Sequence, residues 1–358
     1  MNHIIAFLVL ISVPYLAICL IALVYGTKQN LRKDYSYRPT VTIFIPTRNE
    51  GSQISGKLEN LLAQTYPITE ILIIDSSTDD TPRIVERYQK EYPIIRLIRR
   101  PKEITIVKKV NDAFELAKGE IIVKTDCDSR VRSRDALKEL IANFSDSKIG
   151  GACGICTSQK DTEKYFRKIM TRIQKAETKL DSTIIAHSSS LLAFKRAAVV
   201  PLGSHVIADD TQEFILLRKK GYRTIVDTKV VSEEKVPDTF KAKRLWRDRR
   251  AQAIVKALIE NKDVLFNPRY GKYGLMIYPM NMFLMVISPF VLALNAVLAV
   301  YLLSISNLLY LLIFIAVGML IFVSKPSVVL SFMDSQIGGL NGTMRIVLGK
   351  VATWEKIE

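Results

Sequence analysis

The stretch "GEIIVKTDCDSR", residues 119–130, carries two aspartates, Asp126 and Asp128, to the end of an apolar run. Carboxylates flanking a single residue repel each other unless a cation joins them. A hard divalent ion with oxygen ligands, Mg²⁺ or Mn²⁺, meets that need and can share its remaining positions with substrate phosphates. The competing reading is a turn, in which Asp128 and Ser129 cap the helix around "SRDALKELI". Asp75 follows "ILII" and can accept hydrogen bonds from a base or ribose edge, whereas Asp79 and Asp80 divide between helix start and ligand contact. Asp209 and Asp210 open "DDTQEFILLRKKG". They are either acids stabilising a first helical turn or a general base. A carboxylate of pKa about 4 is ionised at neutral pH and accepts a hydroxyl proton within hydrogen-bond reach. The residues alone leave base and cap tied.

A basic cluster adds a fourth element. In "RLWRDRRAQ", Arg244, Arg247, Arg249 and Arg250 surround Trp246. Guanidinium forks match phosphate oxygens and an indole face stacks on a sugar or base. Arg249 lies three positions after Trp246 and shares its helical face. A surface helix against anionic lipid is the plain alternative. His187 and His205 lack metal-ligand spacing and read as ordinary polar contacts. Cys153 and Cys156 form a C-x-x-C without a second pair, so the expectation is small buried side chains.

The acids need a scaffold. "VTIFI", "EILII", "IIRLIRR" and "EIIVKTD" read as strands, separated by helical runs such as "SQISGKLENLLAQTYP", which ends at Pro67. That alternation specifies a mostly parallel α/β sheet covered by helices. Ligands of such sheets bind beyond the carboxyl ends of the strands, where Asp75, Asp126 and Asp128 fall. Neither GxGxxG nor GxxxxGK[ST] is present, which counts against dinucleotide and P-loop chemistry. Beyond residue 150 the pattern is less regular.

Three apolar stretches frame this block: residues 4–25, 275–303 and 308–323. A helix of about 20 such residues spans roughly 30 Å of hydrocarbon. The first lacks the basic start of a signal peptide and reads as an anchor. Lys28, Arg32, Lys33 and Arg38 follow it, Arg269 and Lys272 precede the second, and Lys325 follows the third. The positive-inside rule then places the intervening block in the cytoplasm, as expected of an integral protein of the cell membrane. The net charge of +16 belongs to this membrane pattern. Motifs of a sequence-reading protein are absent, so nucleic acid is not an expected partner. The expected organisation is an anchor (1–27), a catalytic domain (28–236), a basic interfacial segment (237–274), two spans (275–324) and an amphipathic tail (325–358).

Together these pieces resemble a membrane-bound family 2 glycosyltransferase with the GT-A fold, of the branch that includes cellulose and hyaluronan synthases. "TIFIPTRNE" resembles the opening strand and loop, "IIDSSTDDT" the nucleotide-contacting loop, "TDCDS" the metal-binding D-x-D, and "ADDTQEFILLRKKGYRT" the acidic motif with its helix and glycine turn. The resemblance runs from about Pro39 through the third apolar stretch. It implies a nucleotide-diphosphate sugar donor, Mg²⁺ or Mn²⁺ on Asp126 and Asp128, base or ribose contact by Asp75, and Asp210 as catalytic base of an inverting transfer. Asp209 then stands where relatives carry Glu or Asp. Processive relatives carry Q-x-x-R-W near the membrane; here only Arg249 matches, with Trp246 at the glutamine position and Arg250 at the tryptophan position. Transfer of one or a few sugars to a lipid-linked or membrane-adjacent glycan acceptor, beside membrane lipids, is therefore favoured over a polysaccharide synthase. A catalytically silent scaffold and a nucleotidyltransferase are the readings from other classes. No sequence feature addresses the oligomeric state.

Overall fold

The computed structural model describes residues 2–27, 29–100, 104–157, 161–185, 191–234, 236–237, 239–304 and 326–349. The chain forms two compact units: Tyr25–Ser158 with Gln174–Val236, and Met1–Val24 with Gln159–Ile173 and Pro237–Glu358. The elements in chain order begin with α1 (Asn2–Tyr25), β1 (Val41–Thr47), α2 (Ile54–Leu62), β2 (Glu70–Asp75), α3 (Thr81–Glu91), β3 (Ile95–Arg99), α4 (Ile106–Leu116) and β4 (Ile121–Lys124). They continue with β5 (Ser129–Val131), α5 (Ala136–Ile141), β6 (Ile149–Thr157), α6 (Asp161–Leu180), β7 (Leu192–Lys195), α7 (Asp209–Lys219), β8 (Arg223–Glu234) and α8 (Phe240–Glu260). The last are α9 (Tyr278–Met282), α10 (Ser288–Ser304) and α11 (Pro326–Val347).

The first unit holds an eight-stranded sheet of order β3-β2-β1-β4-β7-β6-β8-β5. β3, β2, β1 and β4 run parallel, as the alternation of strands and helices predicts. The other half is mixed, since β7 is antiparallel to β4 and to β6, β8 is parallel to β6, and β5 is antiparallel to β8. "Mostly parallel" thus becomes a mixed sheet. The change comes at β7, which enters the sheet between β4 and β6 and runs antiparallel to both.

Side chains alternate across the parallel half. Ile43 and Ile45, Ile71 and Ile73, Ile121 and Val123 enter one core with Leu58 and Leu61 of α2 and Leu137 of α5. Phe44, Leu72, Ile74 and Ile122 enter another with Val107, Val110 and Ala113 of α4. Each side chain so buried contributes about 1.5–3 kcal/mol. Burial on both faces explains why these strands read as continuous apolar runs.

In the second unit, α8 packs along α11. A Cβ on Gly342 would lie 2.9 Å from the backbone of Gln252, so only glycine admits this approach. Arg244 donates to Asp334 at 2.7 Å and lies 2.9 Å from Asp248, and Arg247 also pairs with Asp334. Tyr15 of α1 donates to the Ser288 carbonyl at 3.0 Å, and the Ser288 hydroxyl donates to Gln336 of α11 at 2.7 Å. Among the described residues one helix is long and apolar enough to cross a membrane, Tyr273–Leu302, with Val297 and Val300 exposed on it. Of α1, only Leu10–Tyr25 is described to the level of side chains, a shorter apolar stretch. The expected third span, 308–323, lies outside the described residues, as do His187 and the end of the tail. The expectation of spanning helices at both ends is therefore met at one helix.

Candidate active site

Parallel pairing places Thr47 beside Asp75 at the carboxyl ends of β1 and β2. β4 flanks β1 on the other side, with Phe44 opposite Lys124, so Asp126 leaves the same edge of the sheet. Two strand spacings of about 4.8 Å separate the two exit points.

Asp75 is fully buried. Its Oδ1 accepts from Thr47 Oγ1 at 2.8 Å and from Ser77 Oγ. Its Oδ2 is buried, has no hydrogen-bond partner among the described residues and lies 3.7 Å from Arg99 Nε. Ser77 and Arg99 also line a cleft of about 520 Å³ with Thr78, Asp79, Asp80, Pro82 and Arg83. Asp79, just before the cap residue Asp80, accepts from the backbone N–H groups of Thr81 and Gly51, each at 3.0 Å. Those bonds tie the loop after β1 to the start of α3.

Asp126 and Asp128 sit half-buried on the short loop between β4 and β5. The capping alternative does not describe Asp128. Ser129 begins β5 and the residue before α5 is Asp135. The loop is held from beneath by Lys57 of α2, whose Nζ donates to Thr125 Oγ1 at 2.7 Å, the Ser129 carbonyl at 2.9 Å and Ser129 Oγ at 3.0 Å. Burial pushes the Lys57 ammonium down to about 8, against the opposing pull of Asp126 and Asp128. Among the described residues no three His, Cys, Asp or Glu side chains gather as a metal cage. Two hard oxygen ligands at an open strand end suit an ion whose remaining positions a substrate would fill.

Asp209 and Asp210 are the first two residues of α7, after Ala208 at the cap position. Asp210 Oδ1 accepts from the Thr211 N–H at 2.7 Å. Asp209 forms an ion pair with Lys124, the buried last residue of β4. Burial works against that ammonium, but the fields of Asp209, Asp126 and Asp210 outweigh it and raise its pKa above the ordinary lysine value. Lys124 thus lies within electrostatic reach of the D-x-D loop and of the α7 acids. A third buried lysine, Lys109 of α4, donates to the Thr47 carbonyl at 2.6 Å; burial lowers it to about 8, opposed by Asp75.

The fold therefore brings Asp75, Asp126, Asp128 and Asp210 into one unit, the first three along one sheet edge. Trp246 and Arg249 belong to α8 in the other unit. Trp246 is largely buried, and the Arg250 guanidinium lies over its ring, 4.0 Å from the centroid. Burial and Arg250 lower the Arg249 pKa. Cys153 and Cys156 are buried on β6 and form no disulfide among the described residues. The three lysines escaped the sequence reading, yet each interrupts an apolar pattern. Lys57 shares the stripe of Ile54, Leu58 and Leu61, Lys109 that of Ile106 and Ala113, and Lys124 closes "IIVK".

The glycosyl transferase family 2 profile matches residues 42–222, just over half of the chain. The chain belongs to this family. The match covers every strand from β1 to β7, together with Asp75, Asp126, Asp128 and Asp210. Among family-related sequences, hyaluronan synthase of Streptococcus pyogenes is 25% identical over 280 residues, 71% of this chain and 66% of that synthase. The beta-monoglucosyldiacylglycerol synthase of Nostoc sp. is 32% identical over 148 residues, 40% of this chain and 31% of that enzyme. The chain thus spans less than two thirds of these curated relatives. Among solved structures, the mannosyltransferase PcManGT of Pyrobaculum calidifontis, in complex with GDP-Man and Mn²⁺, superposes with a TM-score of 0.79 at 26% identity. That superposition covers 96% of this chain and 99% of PcManGT. The family 2 fold here is GT-A-like.

Proposed function

We propose that this family 2 protein is a metal-dependent, inverting glycosyltransferase. It moves a sugar from a nucleoside-diphosphate sugar to a lipid-linked or membrane-adjacent acceptor. The observation that carries the reading is the ion pair that joins Asp209, beside Asp210, to Lys124 at the end of the strand leading to Asp126, on the sheet edge that also carries Asp75. PcManGT, with GDP-Man and Mn²⁺ bound, supports both the donor class and the metal.

Each acid has a role suited to its surroundings. Asp75 offers Oδ2, which accepts no hydrogen bond among the described residues, to an N–H of the base or a ribose hydroxyl, while Thr47 and Ser77 fix the orientation of its carboxylate. Asp126 and Asp128 would hold Mn²⁺ or Mg²⁺, which when bound neutralises charge on the departing diphosphate. Asp210 accepts the acceptor hydroxyl's proton. The oxygen bonds to the anomeric carbon as that carbon's bond to the diphosphate breaks from the opposite face. The apolar helix Tyr273–Leu302 supports a membrane-adjacent acceptor.

A processive synthase is the second reading, favoured by the similarity to hyaluronan synthase over 71% of the chain. Membranes containing the protein, given a panel of nucleotide sugars with Mn²⁺ or Mg²⁺, separate the two by product mass. One or a few added sugars is the expected result, and a long ladder supports the synthase. Asp210→Asn should lower transfer by about 10²–10⁴-fold while nucleotide binding persists. Near-normal transfer removes Asp210 from its role.

A further inference from the structure

β4 ends in a lysine where an apolar residue would continue the pattern. Side chains alternate along a strand, so Lys124 shares the face of Ile122. That face carries a core with Phe44, Val107, Val110, Leu202 and Val206. An isolated ammonium in such surroundings is strongly disfavoured unless paired. Lys124 is 3% exposed and meets the carboxylate of Asp209, 85 residues on. The charged groups that act on it are Asp209, Asp126 and Asp210, which come from the two acidic segments proposed for the chemistry. Asp210 stays engaged only with its neighbouring backbone N–H among the hydrogen bonds above.

We propose that Lys124 is a positioning residue: its ammonium ties the turn of Asp209 and Asp210 to the strand end that launches Asp126, and by engaging Asp209 it leaves Asp210 to the acceptor hydroxyl. This rests on the base role assigned to Asp210. Asp209 is then the partner that keeps the lysine away from the base, and it takes no proton from substrate. The arrangement also explains why two adjacent acids begin α7 without either serving as its cap. One is bound to the internal cation and the other remains reactive.

Two single substitutions and their combination in the full-length protein test the idea. Lys124→Met leaves three carboxylates without their shared cation. It should lower kcat by about tenfold or more, while donor KM and the Mn²⁺ dissociation constant, read from the EPR signal of free Mn²⁺, change by less than about threefold. Asp209→Asn frees the ammonium to turn toward Asp210 and should likewise lower kcat at nearly constant KM. In the double variant the Asp209 charge is removed together with its partner, so kcat should exceed that of Lys124→Met, and the metal-free thermal midpoint should rise above it too. Independent, additive effects of the two substitutions overturn the proposal. So does a Lys124→Met enzyme whose kcat is unchanged, or whose KM and Mn²⁺ affinity deteriorate in step with kcat. If Lys124→Met does not fold, Asp209→Asn decides alone, and unchanged kcat overturns the proposal. Failure of the base role has a different signature, full transfer by Asp210→Asn with Lys124 and Asp209 still coupled.

Discussion

Glu213 lies one helical turn after Asp209 and is fully buried. Its Oε1 accepts from the Val200 N–H at 3.2 Å, and its Oε2 has no hydrogen-bond partner among the described residues. Burial pushes its pKa up to about 8 from an ordinary 4.5. The folded chain therefore keeps a proton that the unfolded chain has lost, across the interval from 4.5 to 8. Because the native state binds more protons there, stability should fall as pH rises through that window, by at most about 1.4 kcal/mol per pH unit. Glu213→Gln keeps the acceptor for Val200 and removes the titration. Thermal midpoints across the window should flatten in the variant relative to the wild type; identical slopes refute the assignment. Lys57 and Lys109, lowered to about 8 from 10.5, act mainly above this window and in the opposite direction, adding stability as pH rises toward 10.5. Sequence reading located the acids because polar residues after apolar runs are conspicuous. It missed the buried lysines because a lysine on an apolar stripe is usually a long side chain reaching for solvent.

The elements around the site are held to their spacing by close backbone approach. Gly119 turns the chain from α4 into β4, and its N–H donates to Thr42 Oγ1 at 2.8 Å. A Cβ there would lie 2.3 Å from the Thr42 amide nitrogen and 2.7 Å from the Val41 carbonyl carbon, where backbone cannot yield. Gly119→Ala should therefore destabilise the domain by about 1–3 kcal/mol, measurable as a lowered denaturation midpoint. A stability equal to wild type would show that β1 and β4 are free to part. Strands β1 to β4 were legible because each is buried on both faces and followed by an amphipathic helix. The mixed half was not. β5 is three residues long, and β8 serves both β6 and β5 over twelve residues, so local pattern carries little of their pairing.

At the scale of the whole molecule, the helical unit is assembled from segments distant in sequence. α8 and α11 meet through Gly338 and Gly342, flanked by the ion pairs of Arg244 and Arg247 with Asp334. Arg244 and Arg247, expected to face phosphate or lipid, thus pair with Asp334, and Arg250 lies over the Trp246 ring. Gly342→Leu should separate the helices and lower the thermal midpoint, with a cost of about 1–3 kcal/mol. An unchanged midpoint would mean that the two helices do not depend on this contact.

The sequence alone determined which residues could do chemistry and that most of them stand at strand ends, because strand period and burial are written in local alternation. It also determined the apolar helix Tyr273–Leu302 by length and composition. Tertiary structure decided what those residues face. Whether Asp209 or Asp210 is engaged depends on a lysine 85 positions earlier. Whether Asp79 caps or binds depends on a loop from another strand, and whether the sheet stays parallel depends on how β7 returns beside β4. These are contacts between segments with no shared period, set by strand order and packing, and composition does not encode them.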